Sequence, residues 1–194
     1  MDNLIYLEEN SLPNELCEEI IHMFENEDGC YEGVTAAGLN KNVKDTTDFV
    51  IPNNEKWKKI LDILTKELYR NLKLYIKLLS KDFENYSIFS NSYFYENSFQ
   101  IQRYRKNVGK YVFHHDHDIR IGQKDHRVIT YLWYLNTVDE GGQTAVWTNI
   151  KVKPEMGKLL LFPASWTFPH SGLMPISNDK YIITGWLYES VPDK

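Results

Sequence analysis

Six histidines stand in the 194 residues, and three of them fall within four positions: His114, His115 and His117, with Asp116 and Asp118 interleaved. On an extended segment, positions i and i+2 share a face. His114 and Asp116 would then project together, with His115 and His117 on the other side. One imidazole and one carboxylate on a strand face are two members of a two-histidine, one-carboxylate set. Such a set leaves coordination positions open and suits non-haem Fe(II). Taken alone, a His-x-Asp tripeptide is a weak signal, and a polar strand end in water is the competing reading.

The third ligand would be another histidine. His22 falls in a helical pattern, His126 precedes an apolar strand, and His170 follows the stretch from Phe162 to Pro169. Lys180 comes ten residues after His170 and opens the last apolar run, Tyr181-Ile182-Ile183-Thr184-Gly185-Trp186. A lysine that begins a strand is ordinarily a solvated edge residue. Inside a barrel it would be an anion clamp, the buried counter-charge of a carboxylate.

The elements that must position these groups divide the chain in two. Pro13 suits the first turn of a helix. Leu16, Ile20, Ile21 and Phe24 recur at helical spacing until Gly29. Residues 31–53 read as irregular. A long helix is predicted over about 54–79, where Trp57, Ile60, Leu61, Leu64, Leu68, Leu72, Ile76 and Leu79 form one apolar stripe. After Ser80 the period changes. Strands are predicted at 86–94, 98–105, 110–115, 127–135, 143–150, 158–162, 166–170 and 180–188. Both faces of Val128–Leu135 are apolar or aromatic, as expected of a strand between two layers. Helices first and strands afterwards predict an α+β layout, with a sandwich or barrel buttressed by N-terminal helices. No linker divides the chain, so residues 1–194 read as one domain, with a helical part over about 11–80 and a β-core over about 86–188.

Composition excludes several other classes. A formal net charge of −5 and a pI near 5.7 argue against a nucleic-acid partner. No apolar run approaches the roughly 20 residues of a membrane span, and the start MDNLIYLEEN lacks the features of a signal peptide. A cytoplasmic protein is the expectation. Cys17 and Cys30 are too few for a disulfide framework or a four-cysteine zinc site, and Cys17 reads as a small core residue.

The ordered set is more specific than any member of it. His114-x-Asp116, then His170, then Lys180 resembles the Fe(II)- and 2-oxoglutarate-dependent dioxygenases, and more closely their prolyl 4-hydroxylase branch. Tyr111-x-x-His114-x-Asp116 resembles the family's Tyr-x-x-His-x-Asp. Glu140-Gly141-Gly142-Gln143-Thr144 resembles its Glu-Gly-Gly-Glu-Thr turn, with Gln in place of the second Glu. Leu160-Leu161-Phe162-Pro163 before the distal histidine is also typical. The resemblance covers about residues 86–188.

It implies a double-stranded β-helix, a distorted jelly roll, with Fe(II) held by His114, Asp116 and His170. It implies 2-oxoglutarate and O2 as cosubstrates, ascorbate as a reductant, and Lys180 as partner of the far 2-oxoglutarate carboxylate. Tyr104, Thr144 and Tyr134 are further cosubstrate candidates. The Arg105–Lys110 connection is one residue longer than the family pattern, which weakens the match at Tyr104. Tyr111, Arg127 and Trp186 match substrate-side positions, although Arg127 could instead pair with Asp125. For Tyr134 and Trp186, ordinary core packing is the competing reading. The segments 31–50, with Lys44-Asp45-Thr46-Thr47-Asp48, and 117–126, with Gly122-Gln123-Lys124, are lid candidates that read equally as plain loops. The activity implied is hydroxylation of a C–H bond, foremost of a peptidyl proline, with release of succinate and CO2. Another residue, a small molecule, or a metal-binding barrel without turnover are the alternatives. The oligomeric state is not legible.

Overall fold

The computed structural model describes residues 4–81, 89, 93–118 and 125–190. In chain order the elements are β1 (Tyr6–Glu8), α1 (Asn14–Glu25), β2 (Tyr31–Glu32), β3 (Lys44–Asp45), β4 (Thr47–Val50) and α2 (Lys58–Ser80). They continue with β5 (Tyr93–Glu96), β6 (Gln100–Tyr104), β7 (Lys110–His114), β8 (His126–Tyr134) and β9 (Thr144–Val146). The last four are β10 (Ile150–Val152), β11 (Leu159–Pro163), β12 (His170–Gly172) and β13 (Lys180–Ser190).

The strands form two antiparallel sheets. The larger runs β1-β11-β8-β13-β6-β4-β2, with β5 added to β13, and the smaller runs β10-β9-β12-β7-β3. The strand period of two sorts the larger sheet's side chains. Ile129, Tyr131 and Trp133 of β8, Leu159 and Leu161 of β11, and Ile183 and Leu187 of β13 share one buried cluster with Leu16 and Ile20 of α1 and Ile60, Leu64, Leu68 and Leu72 of α2. The alternate residues Leu132, Tyr134, Leu160, Phe162 and Ile182 form a second cluster with Val146 and Val152 of the smaller sheet. This two-sided burial explains why β8 reads as apolar on both faces. A polar node links the layers inside the first cluster: Ser11 Oγ accepts from Asn71 Nδ2 of α2 at 3.2 Å and from Trp133 Nε1 of β8 at 3.0 Å.

Several expectations need correction. Strands are not confined to the second half, because β1 pairs with β11 and three short strands separate the helices. Residues 44–50, predicted as irregular and as a lid, are β3 and β4, paired with β7 and β6. Strands this short carry no periodicity of their own, and their pairing is wholly tertiary. The long helix starts at Lys58, after a turn in which Asn54 Oδ1 accepts from the Trp57 backbone N–H at 3.1 Å. Segment 143–150 is a hairpin of two strands, with Trp147 between them at φ 55°. Residues 166–169 are a turn closed by a Phe168 N–H to Ser165 carbonyl bond of 2.9 Å, so β12 begins at His170 instead of ending there. Most of the predicted strand at 86–94, and Gly122-Gln123-Lys124, lie outside the described residues.

Leu64 is fully buried between α2 and the larger sheet. Leu64→Ala is expected to lower the unfolding free energy by about 2–5 kcal/mol. Urea denaturation should show this as a lower midpoint with an unchanged slope.

Candidate metal and cosubstrate site

β7 and β12 are neighbours in the smaller sheet, and their register places His114 opposite His170. The ring centroids are 4.2 Å apart. Each Nδ1 lies against a backbone carbonyl two residues earlier, Val112 O at 2.9 Å for His114 and Phe168 O at 3.0 Å for His170. A carbonyl only accepts, so Nδ1 carries the proton and Nε2 presents its lone pair. Burial and then the neighbouring His170 push His114 down to about 4, so it is neutral at physiological pH.

Asp116 lies beyond the end of β7, where strand alternation no longer applies. Its direction is set from β8, whose Thr130 Oγ1 donates to Asp116 Oδ2 at 2.7 Å. The carboxylate oxygens stand 3.7 Å from His114 Nε2 and 3.4 Å from His170 Nε2. Burial alone would raise the Asp116 carboxyl. The two imidazoles, the Trp186 indole and Thr130 outweigh it, and the group stays below its ordinary value. His115 and His117 are exposed at the rim, and His22 and His126 are exposed elsewhere.

Among the described residues, His114, Asp116 and His170 are the group whose donor atoms, all within 4.8 Å of one another, could hold a metal. Two imidazoles and a carboxylate, without a thiolate, fit Fe(II). The three line a cavity of about 510 Å³ between the two sheets.

Deeper in that cavity is Lys180, 1% exposed. Its register partner on β6 is Tyr104, and Nζ sits 3.9 Å from the centre of that ring. Nζ donates to Gly142 O at 2.9 Å. That carbonyl is delivered by the Gly141-Gly142 turn, whose φ values of 75° and 72° suit glycine. Among the described residues no carboxylate lies within ion-pair distance of Lys180, and burial lowers it to about 7. Tyr104 is buried in the wall, its hydroxyl donating to Gln102 Oε1 at 3.1 Å. Thr144 also lines the cavity. Tyr134 does not: its buried hydroxyl donates to Thr144 Oγ1 at 2.7 Å. Tyr134 therefore touches the cavity only through Thr144, whose own O–H is left to donate.

Toward the mouth, Tyr111 stacks on His114 with centroids 3.5 Å apart and 15° between planes. The Arg127 guanidinium lies 3.6 Å from the centre of a Trp186 ring and reaches Asp118 at 3.9 Å, not Asp125. Sequence reasoning passed over Thr130, Gln102 and Lys44, all of which line the cavity. Thr130 shares a strand face with Leu132 and Tyr134, a signal present in the alternation. Lys44 and Gln102 carried no comparable signal.

Residues 99–188 match the family described as the 2OG-Fe(II) oxygenase superfamily. The matched segment carries His114, Asp116, His170 and Lys180. The fold is shared with solved prolyl hydroxylases. A viral collagen prolyl hydroxylase from Paramecium bursaria Chlorella virus-1, solved as its 2OG complex, superposes with a TM-score of 0.67 at 20% identity, covering 95% of this chain and 96% of that one. A Pseudomonas putida prolyl-4-hydroxylase gives 0.68 at 17% identity, covering 94% and 91%. A Trichoplax adhaerens prolyl hydroxylase, in complex with a hypoxia inducible factor oxygen degradation domain peptide fragment, gives 0.69 at 19% identity, covering 97% and 84%. No curated protein matches the chain in sequence.

Thr130→Val removes the donor that orients Asp116 and is expected to weaken Mn(II) or Fe(II) binding about 10- to 100-fold, read by metal titration. Lys180 has a folded pKa of about 7 against an ordinary 10.5, so the unfolded chain binds the extra proton between those values. Its burial penalty is full below pH 7 and disappears as pH rises toward 10.5. Lys180→Met should therefore raise Tm by a few degrees at pH 7, with the gain shrinking at higher pH, as thermal denaturation at two pH values can read.

Proposed function

We propose that the chain is an Fe(II)- and 2-oxoglutarate-dependent oxygenase that hydroxylates a C–H bond, with a peptidyl proline as the preferred substrate and succinate and CO2 as coproducts. On this reading the core is a double-stranded β-helix and residues 1–194 form one catalytic domain. The observation that carries it is the meeting, in one cavity, of three metal donors and an ammonium without a counter-ion among the described residues. A dianionic cosubstrate that chelates the metal at one end and offers a carboxylate at the other answers both features. Iron with 2-oxoglutarate and O2 supplies the oxidising power for an unactivated C–H bond. Ascorbate would serve as an external reductant.

The chain's own residues bind, orient and exclude water. Lys180 pairs with the far carboxylate, which returns the ammonium to its charged form inside an apolar wall. Tyr104 covers it on one side. Thr144, its oxygen already engaged by Tyr134, points its remaining donor to the same carboxylate. Tyr111 holds the His114 ring by stacking, and the Arg127–Trp186 pair gives the mouth a flat, partly cationic wall suited to a peptide. The peptide held by the Trichoplax relative supports a peptide over a free amino acid.

The test is direct. Anaerobic addition of Fe(II) and 2-oxoglutarate should produce a visible charge-transfer band. A peptide screen should then reveal stoichiometric succinate and a product heavier by one oxygen atom. Neither band nor succinate would overturn the proposal. Asp116→Ala should lower kcat/KM by about 10³-fold or more with little change in the unfolding midpoint, which circular dichroism can verify.

A further inference from the structure

Lys44 and Asp48 form a second charged feature of the cavity wall. Lys44 is on β3 of the smaller sheet, in register with Tyr111, and Asp48 is on β4 of the larger sheet, in register with Gln102. Their ion pair, Nζ to Oδ2 at 2.5 Å, therefore joins the two sheets beside the metal donors. The side chains are only 5% and 1% exposed. Thr46 Oγ1 donates to the other carboxylate oxygen at 2.7 Å. The chain passes over the pair at Gly33, where a Cβ would meet Thr46 Oγ1 at 2.1 Å and Lys44 Cε at 3.0 Å. Beyond Gly33, Val34, Thr35 and Ala36 complete this side of the cavity.

A buried ion pair is an expensive brace, since apolar residues of similar size would join two sheets as well or better. The two partners also differ in access. Lys44 lines the cavity, whereas Asp48 lies behind it, 0% exposed. The Lys44 ammonium stands 5.4 Å from the Tyr111 ring centre, and its field reaches His114. An ammonium has three N–H donors. One serves Asp48, and the others meet no acceptor among the described residues.

We propose that Lys44, neutralised by Asp48, is a specificity-determining residue that donates to a main-chain carbonyl of the peptide substrate. The inference rests on the peptide-oxygenase reading and deepens it. The two buried lysines of the cavity differ in their partners. Lys180 has no anionic partner among the described residues and so selects a carboxylate. Lys44 already has one at 2.5 Å. It offers donors without net charge, and an incoming carboxylate would be repelled by Asp48. A neutral acceptor, the amide carbonyl, is what that combination selects. The same wall disfavours the carboxylate of a free amino acid.

Lys44→Met alone would strand a buried carboxylate, so the test replaces both partners, K44M/D48L. The parent protein and variants are loaded anaerobically with Mn(II) and 2-oxoglutarate. They are titrated by calorimetry with a proline-containing decapeptide capped at both ends, and with free L-proline. The parent should bind the capped peptide at least about tenfold more tightly than L-proline. K44M/D48L should lose about 10- to 100-fold in peptide affinity, the equivalent of a charge-assisted hydrogen bond. Its affinity for 2-oxoglutarate should stay within about threefold. In a second variant, Asp48→Asn, Lys44 keeps an oxygen acceptor but loses its counter-charge. The ratio of peptide to L-proline affinity should then fall about tenfold, which a merely structural role would not produce.

Equal peptide affinity in the parent and K44M/D48L, or an unchanged ratio in Asp48→Asn, would overturn the role of Lys44 while leaving the oxygenase reading intact. A parent protein that binds 2-oxoglutarate but no capped peptide would overturn the peptide reading itself, and this inference with it.

Discussion

The pairing of β12 with β7 is the interaction on which the site depends. It sets two imidazoles face to face across neighbouring strands, where backbone carbonyls take both Nδ1 protons and leave both Nε2 lone pairs turned to the same point. The carboxylate completing the set comes from just past the strand end and is aimed by a hydroxyl on the opposite sheet. The donor set and the hydroxyl that aims it therefore span both sheets. Any slip of one sheet on the other would separate Asp116 from the histidines.

That dependence gives the rest of the fold its purpose. The larger sheet is buried on both faces, by the helices on one side and by the smaller sheet on the other. A sheet clamped in this way has little freedom to shift, because close-packed interiors resist small displacements. Polar groups that cost stability are concentrated where the two sheets meet. Lys180 lies in an apolar wall against a tyrosine ring, and Lys44 with Asp48 bridges the sheets beside the metal donors. The cavity thus holds a graded series of charge. A carboxylate stands among the imidazoles, an ammonium without a counter-ion among the described residues stands at depth, a neutralised pair forms one side, and a guanidinium stacked on indole forms the mouth. Each kind of charge environment suits a different part of the proposed ternary complex.

Much of this was legible in the residues themselves. Helical and strand periods located α1, α2 and most strands of the second half, since those elements bury an apolar face and the face must recur at the element's own period. The candidate donors His114, Asp116 and His170, and Lys180, were legible as an ordered set, because their chemistry is unusual and their spacing matches a known family. The short strands β2, β3 and β4 were not. They contain two to four residues, too few to express a period, and exist only because β7 offers an edge to β3, β6 to β4, and β4 in turn to β2.

The sequence by itself determined which side chains could bind a metal and which stretches must be buried, because residue chemistry and hydrophobic period are local properties. Tertiary structure alone decided how those groups act. It assigned Tyr134 to Thr144 and not to the cavity, aimed Asp116 through Thr130, and paired Lys44 while leaving Lys180 without an ion-pair partner among the described residues. The physical reason is that hydrogen bonds and ion pairs act over about 3–4 Å. Which groups come within that distance is settled by sheet register and crossing, between residues far apart in the chain.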